Sequence, residues 1–360
     1  MKINLQAPIN QLGYGIAGLN ILKALQDKAE VSLFPIGQPQ VTNQADADAV
    51  RKGMETAQTF DPNAPCIKIW HQNQMAERIG SGKFIGFPIF ELDTFSDLEK
   101  HHLLACDELM VCSQWARRVV TGNNFGYYKA DGRPKLPPKT HVVPLGVDTE
   151  LFPPAPVRQD DKTIFFNCGK WEVRKGHDIL IKAFKKVLEH DARAELWMMC
   201  SNPFNTRMED ARWKKLYKFP KVSIIPRAET QQDVYNIMSE VDCGVFPSRG
   251  EGWNLELLEM MSCGKHVIAT DYSAHTEFCT KENAQLLPID GVEPAFDGKW
   301  FFNQGNWAKI TEKEVDALSD LMISFINNKK GKINKSGIET ASKYNWENTA
   351  KEIIKCLNQS

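Results

Sequence analysis

The chain has 360 residues, 42% of them hydrophobic, more than a single core usually organises, so two domains are expected. Lys and Arg total 44 against 45 Asp and Glu, which excludes the global positive field that would recruit nucleic acid or an anionic membrane and leaves only a local patch as a route to such partners. Nine cysteines stand singly in apolar runs without a C-x-x-C pair. That pattern excludes a disulfide framework or a zinc site of that spacing and fits buried thiols in a reducing compartment.

The opening, MKINLQAP, lacks the apolar centre of a signal peptide, and no apolar run approaches the roughly 18 residues of a membrane span. A cytoplasmic protein is expected. Short apolar runs alternate with longer periodic ones, the pattern of parallel strands joined by helices. In the first half INLQA, VSLFPI, CIKIW, FIGFPIF, ELMVCS and HVVPL read as strands, with helices over residues 15–28 and 97–105. A loop rich in proline, glycine and lysine follows at residues 130–140. Pro153, Pro154 and Pro156 then mark a domain boundary.

After that cluster the rhythm restarts with TIFFNCG, followed by ELWMMC, KVSIIP, DCGVFPS and KHVIAT as strands. Helices fall near 177–190, 231–239, 254–263 and 312–327. The last stretch is an amphipathic helix with Trp346, Ala350, Ile353, Ile354 and Leu357 on its apolar side. The expected α/β architecture is therefore two doubly wound, Rossmann-like domains, 1–155 and 156–342, with a terminal segment 343–360. Such a pair suggests a cleft between the domains, and ligands of open α/β sheets bind beyond the carboxyl ends of strands.

Three segments carry candidate chemistry. In SRGEGWNLELLEMMSCG, residues 248–264, Glu251 stands at a strand's carboxyl end beside a helix start whose free N–H groups attract an anion. Glu259 lies more than a turn inside the helix. Either the paired hydroxyls of a sugar satisfy it, or it belongs to a structural salt bridge with Glu251 as a cap. In NCGKWEVRKGHDILIKAF, Lys170, Arg174 and Lys175 crowd the loop after a strand. They form either a diphosphate clamp or a solvated basic loop. In QAPINQLGYGIAGLNILKAL, Gly13, Gly15 and Gly18 open the first helix, which permits close backbone approach to a phosphate or marks a plain tight turn.

SRGEGWNLELLEMMSCG, NCGKWEVRKGHDILIKAF and HVVPLGVDTELFPP, in their order and at their separations along the chain, resemble the retaining glycosyltransferases of family 4, which have the two-domain GT-B fold. The likeness runs over essentially the whole chain and is clearest over residues 85–290. It implies that Glu251 lies at the donor sugar and that Glu259 binds the nucleotide ribose. The family's basic pair at the diphosphate falls on Lys170 and Lys175, the first of which is usually arginine. Gly252 and the backbone amides of Trp253, Asn254 and Leu255 would face the donor. Trp253 stands where phenylalanine is usual and Glu256 where proline is common. By the same resemblance Arg227 and Ala228 cradle the nucleobase, and Gly13, Tyr14 and Gly15 close over the diphosphate. Glu91 and Asp93 face the acceptor, unless Asp93 or Thr94 is a helix cap. The terminal helix crosses back to the first domain.

The resemblance implies transfer from a nucleotide diphosphate sugar, with UDP the expected nucleotide, to a hydroxyl acceptor, without a metal and without a dedicated side-chain base. Cell-envelope glycans, lipid-linked saccharides and small glycosides are the common acceptor classes. A modified DNA base is the alternative acceptor, motivated by the basic YYKADGRPKLPPK loop and by ARWKKLYKFPK, whose aromatics form either a stacking strip or a packing stripe. A sugar-nucleotide-binding protein without turnover is a second alternative, and an epimerase of the same fold a third. His71 and His275 read as structural hydrogen-bonders.

Overall fold

The computed structural model describes residues 1–122 and 136–359 in full, and the backbone of 127–128 and 134–135. Residues 129–133 of the basic YYKADGRPKLPPK loop lie outside the described residues. The chain divides into two compact units, Met1–Gly146 with Tyr344–Ser360, and Val147–Lys343.

Unit 1 is built on a six-stranded parallel sheet in the order β2-β1-β3-β4-β5-β8. Its strands are β1 (Lys2–Ala7), β2 (Glu30–Pro35), β3 (Cys66–Ile69), β4 (Phe84–Phe87), β5 (Glu108–Val111) and β8 (Lys139–Val142). A two-residue ribbon, β6 (Tyr127–Tyr128) with β7 (Pro134–Lys135), precedes β8. Every residue of β3, β4 and β5 is buried, because crossover helices cover both faces of a parallel sheet, and this is why those strands read as unbroken apolar runs. Helices α1 (Gly13–Gln26), α2 (Gln44–Thr56), α3 (Asp97–Leu103) and α4 (Gln114–Thr121) supply the crossovers.

Helix α3 is capped neither by Asp93 nor by Thr94. Ser96 accepts from the Glu99 amide while Glu99 reaches back to the Ser96 amide, a reciprocal capping box. The chain returns to unit 1 in α12 (Trp346–Asn358), which packs on α1 and buries Trp346, Ala350 and Ile353. Gly146 permits that packing: a Cβ there would lie 2.3 Å from the Trp346 nitrogen. Thr349 Oγ1 donates to the Pro144 carbonyl at 2.8 Å.

Unit 2 repeats the plan with the order β11-β10-β9-β12-β13-β14, all parallel. The strands are β9 (Thr163–Gly169), β10 (Ala194–Cys200), β11 (Val222–Ile224), β12 (Cys243–Phe246), β13 (His266–Thr270) and β14 (Gln285–Leu287). The helices are α5 (His177–His190), α6 (Arg207–Leu216), α7 (Gln231–Ser239), α8 (Leu255–Ser262), α9 (His275–Phe278), α10 (Glu312–Asn328) and α11 (Lys335–Lys343). An antiparallel hairpin, β15 (Val292–Phe296) and β16 (Phe302–Ala308), interrupts the alternation and has no counterpart in the sequence reading.

The proline cluster does not separate the units. It belongs to unit 2 and is fastened to the end of α8, where Ser262 Oγ donates to the Phe152 carbonyl at 2.7 Å and the Ala155 amide to the Cys263 carbonyl at 3.0 Å. The aromatics of ARWKKLYKFPK also turn inward. Trp213 stacks on Trp171 at 5.5 Å, and Tyr217 is buried with its hydroxyl donating to the His177 carbonyl at 2.6 Å. They form a packing stripe and leave no row of faces for base stacking.

Candidate active site

Strand order in unit 2 reverses between β9 and β12, which pair in parallel at the middle of the sheet. A crevice opens at such a reversal, because the connections from the two neighbouring strands leave in opposite directions. Both motif loops start there, one after β9 and one after β12. They interlock: the Arg249 amide donates to the Arg174 carbonyl at 2.7 Å. Gly176, in the left-handed region at φ 73°, would drive a Cβ to 2.1 Å from the Pro247 carbonyl oxygen. Only glycine fits that crossing.

Glu251 is the hub. Its carboxylate accepts from Arg174 Nη1 at 2.8 Å and Ser248 Oγ at 2.8 Å, and it pairs with Lys175 Nζ at 3.0 Å. Its own amide donates to Ser273 Oγ at 2.9 Å. Arg174 also donates to the Gly250 carbonyl and to Glu172, each at 2.8 Å. Burial alone would push the Glu251 carboxyl up, but Lys175 and Arg174 outweigh it and hold the group well below the usual carboxylate range. Burial likewise pulls the Lys175 ammonium down, and Glu251 with Glu256 reverses this, so the lysine stays charged. Lys170 stands apart from this hub. It pairs with Glu172 at 2.9 Å, its side chain is partly exposed, and its ammonium lies 5.8 Å from the centre of the Phe204 ring.

Asn254 turns the chain from the glutamate loop into α8. Its φ is 91°, a left-handed conformation that asparagine tolerates better than most residues. Its side chain accepts from the Leu257 amide at 3.2 Å and meets His275 Nε2 at 2.9 Å, while His275 Nδ1 faces the Thr270 carbonyl at 3.0 Å. His275 is thus a buried structural hydrogen-bonder. The cap takes only the Leu257 amide, and the first-turn amides of Leu255 and Glu256 carry no intramolecular hydrogen bond among the described residues. They are open to an anion. Trp253 is buried against Phe278 with ring centres 4.8 Å apart.

Glu259 differs from every other acid of the site. It is 93% buried, yet among the described residues no hydrogen bond or ion pair reaches its carboxyl. The salt-bridge alternative for this residue is therefore overturned. Burial, reinforced by the charge of Glu256, pushes its pKa up to about 8.

The remaining predicted positions scatter. Arg227 and Ala228 follow β11 at the carboxyl end of the same sheet, on its outermost strand. Gly13, Tyr14, Gly15 and Asp93 belong to unit 1. Gly15 and Gly18 serve internal packing: a Cβ would lie 2.4 Å from the Asn10 backbone at the first and 2.3 Å from the Pro8 carbonyl oxygen at the second. Gly13 alone faces open space. Tyr14 turns its hydroxyl inward to donate to the Ile89 carbonyl at 2.5 Å. Sequence reasoning placed Arg174 among three cations of a candidate diphosphate clamp, whereas the structure turns it to Glu251 and Glu172; it passed over Glu172, Ser248 and Ser273. Arg174 was visible only as a cation beside Lys175. The two serines carried no spacing signal.

A family model described as glycosyl transferases group 1 matches residues 161–296, which contain both interlocked loops. This stretch is a group 1 glycosyltransferase domain. The chain is 22% identical over 284 residues, 77% of its length and 74% of the relative's, to a putative glycosyltransferase of a Sulfolobus islandicus filamentous virus. It is 25% identical over 205 residues, 53% of its length and 48% of the relative's, to an uncharacterized glycosyltransferase of Methanocaldococcus jannaschii. Among solved structures, sucrose-phosphate synthase from Thermosynechococcus elongatus superposes with a TM-score of 0.70 at 15% identity, covering 100% of this chain and 98% of that one. Anabaena HepE in complex with UDP and glucose superposes at 0.68 and 16% identity, covering 100% and 99%. These likenesses establish the fold around the glycosyltransferase domain as GT-B. No helix among the described residues is long and apolar enough to cross a membrane.

Proposed function

We propose that the protein is a retaining glycosyltransferase that moves a sugar from a nucleotide diphosphate sugar, with UDP as the nucleotide, to a hydroxyl acceptor. The observation that carries this reading is Glu259, an acid on α8 that is almost wholly buried and to whose carboxyl no hydrogen bond or ion pair runs among the described residues, and whose charge acts on Cys168 at the carboxyl end of β9. Burying an unsatisfied carboxyl costs stability, and a ligand presenting two adjacent hydroxyls would satisfy it. A ribose does so. HepE has been solved with UDP-glucose bound, which supports UDP as the nucleotide here.

In this reading Lys175, Lys170 and the open amides at the start of α8 take the diphosphate, and Arg227 and Ala228 take the nucleobase. Asp93 is assigned to the acceptor. Glu251 lies at the sugar as a fixed negative charge. Held ionised by two cations, it has no proton to give as a general acid. With its lone pairs engaged by Arg174, Lys175 and Ser248, it is also a poor nucleophile. The acceptor's proton is then left to the departing phosphate oxygen, on the same face as the bond that breaks, which gives retention. Lys175 and Lys170 supply the charge neutralisation that a metal ion provides elsewhere.

Thermal-shift titration with UDP, GDP and ADP tests the donor site, because a ligand that binds only the native state raises its apparent stability. UDP is expected to raise the melting temperature, and release of UDP from a UDP-sugar should persist in EDTA. Anomeric analysis of the product by NMR distinguishes retention from inversion. Binding of UDP without any turnover would instead leave a sugar-nucleotide-binding protein.

A further inference from the structure

The hairpin β15–β16 carries a surface that the donor-site reading does not use. Phe296, Trp300 and Phe302 are 56%, 46% and 59% exposed, and neighbouring Phe204 is 52% exposed. Exposed aromatics in such number are costly unless they meet a partner. They are also held rigidly. Asp297 Oδ1 accepts the amides of Lys299, Trp300 and Phe301 at 2.8, 2.8 and 2.9 Å, closing the tip. Lys299 Nζ then fastens the tip to the Phe204 carbonyl at 2.7 Å, to Asn205 Oδ1 at 2.9 Å and to Glu209 at 3.1 Å. Phe204 meets Trp300 edge to face at 5.8 Å.

Two features indicate what this surface takes. It is continuous with the candidate donor site at both ends: Lys170 lies over the Phe204 ring, and the Ala308 amide of β16 donates to the Arg249 carbonyl at 2.7 Å, two residues before Glu251. Its own tip charges are also committed. Lys299 is taken up by Phe204, Asn205 and Glu209 and Asp297 by the tip amides, so neither is free to pair with a polyanion or an anionic membrane. Flat aromatic faces with a negative quadrupole suit the weakly positive C–H face of a pyranose ring, and the exposed Asn303 amide beside them suits its hydroxyls.

We propose that Phe204, Phe296, Trp300 and Phe302 form an acceptor subsite that stacks the rings of a neutral oligosaccharide chain leading away from the transfer point. This rests on the glycosyltransferase reading above and names its acceptor class. Maltoheptaose, cellohexaose and chitohexaose serve as probes, titrated by calorimetry into the full chain with and without saturating UDP.

At least one oligosaccharide is expected to bind. The double variant W300A/F302A should weaken that binding tenfold or more, and W300Y, which keeps an aromatic face, should retain it. UDP affinity, measured on the same samples, should stay within twofold. No binding by any of the three, or equal binding by the double variant, overturns the subsite. Binding of phosphatidylglycerol vesicles through these residues in place of sugars overturns it as well. Failure of the wild-type chain to bind UDP strikes the donor site instead, and aromatic-dependent oligosaccharide binding would then still uphold the subsite.

Discussion

Replacing Glu259 by glutamine tests the site at its most strained point. The carboxyl rises from an ordinary 4.5 to about 8 in the folded chain. At ~1.4 kcal/mol per pKa unit this corresponds to about 5 kcal/mol as a ceiling, since water entering the crevice relaxes part of the penalty. The sign follows from proton binding. Below pH 4.5 both folded and unfolded chains are protonated and nothing is lost. As pH rises from there to about 8 the unfolded chain ionises first, so the wild type loses stability through that window and reaches a plateau above it. Glu259→Gln keeps the shape of the neutral acid and does not titrate. The variant's melting temperature should therefore match the wild type near pH 4.5 and exceed it increasingly toward pH 8. UDP should reverse the order of merit above pH 8, where the carboxyl is ionised: the variant then loses roughly 1.5–3 kcal/mol of nucleotide affinity, the range for a hydrogen bond to a charged group. Parallel pH–stability curves for the two proteins, or unchanged UDP affinity in calorimetry, would refute the reasoning.

The remaining perturbations address the hub and the turn. Lys175→Ala should lower turnover at least about a hundredfold while donor affinity falls less, because charge on the leaving diphosphate grows in the transition state; steady-state kinetics with the donor varied separates the two effects. Arg174→Met leaves Glu251 and Glu172 buried with one cation fewer each, and should cost about 3–5 kcal/mol in urea unfolding followed by fluorescence. Asn254→Ala forces alanine into φ 91° and removes the α8 cap, a loss of roughly 2 kcal/mol, whereas Asn254→Gly should lose only a few tenths for the cap. Equal destabilisation by the two Asn254 variants would show that backbone strain is not the controlling feature.

Most of the parallel strands were legible because strands buried on both faces write themselves as apolar runs, as β3 and β12 do. The hairpin was not, because FNQGNWA is polar, carries a glycine and has no β-branched residue. Its strand form comes from pairing with β15 and from the Asp297 tip, neither of which is a local preference. The proline cluster misled for a related reason. Proline reports that a segment lacks regular structure, and says nothing of which core it lies against. In the glycine loop the spacing left ligand access and a plain tight turn both open, and Gly15 and Gly18 are taken up by close packing on Asn10 and Pro8.

The amino-acid sequence by itself determined the two α/β repeats, a helix near 254–263 and the set of charged residues in the two loops, since periodicity and turn chemistry are properties of neighbours along the chain. Only the tertiary structure decided how those charges pair. It gave Glu251 two cations from a loop more than seventy residues away and left Glu259, eight residues on in the same motif, with none. The physical reason is that burial and pairing depend on which distant segments the sheet order brings together. At the reversal between β9 and β12 the loop cations reach the strand end that carries Glu251, while the helix carries Glu259 past them.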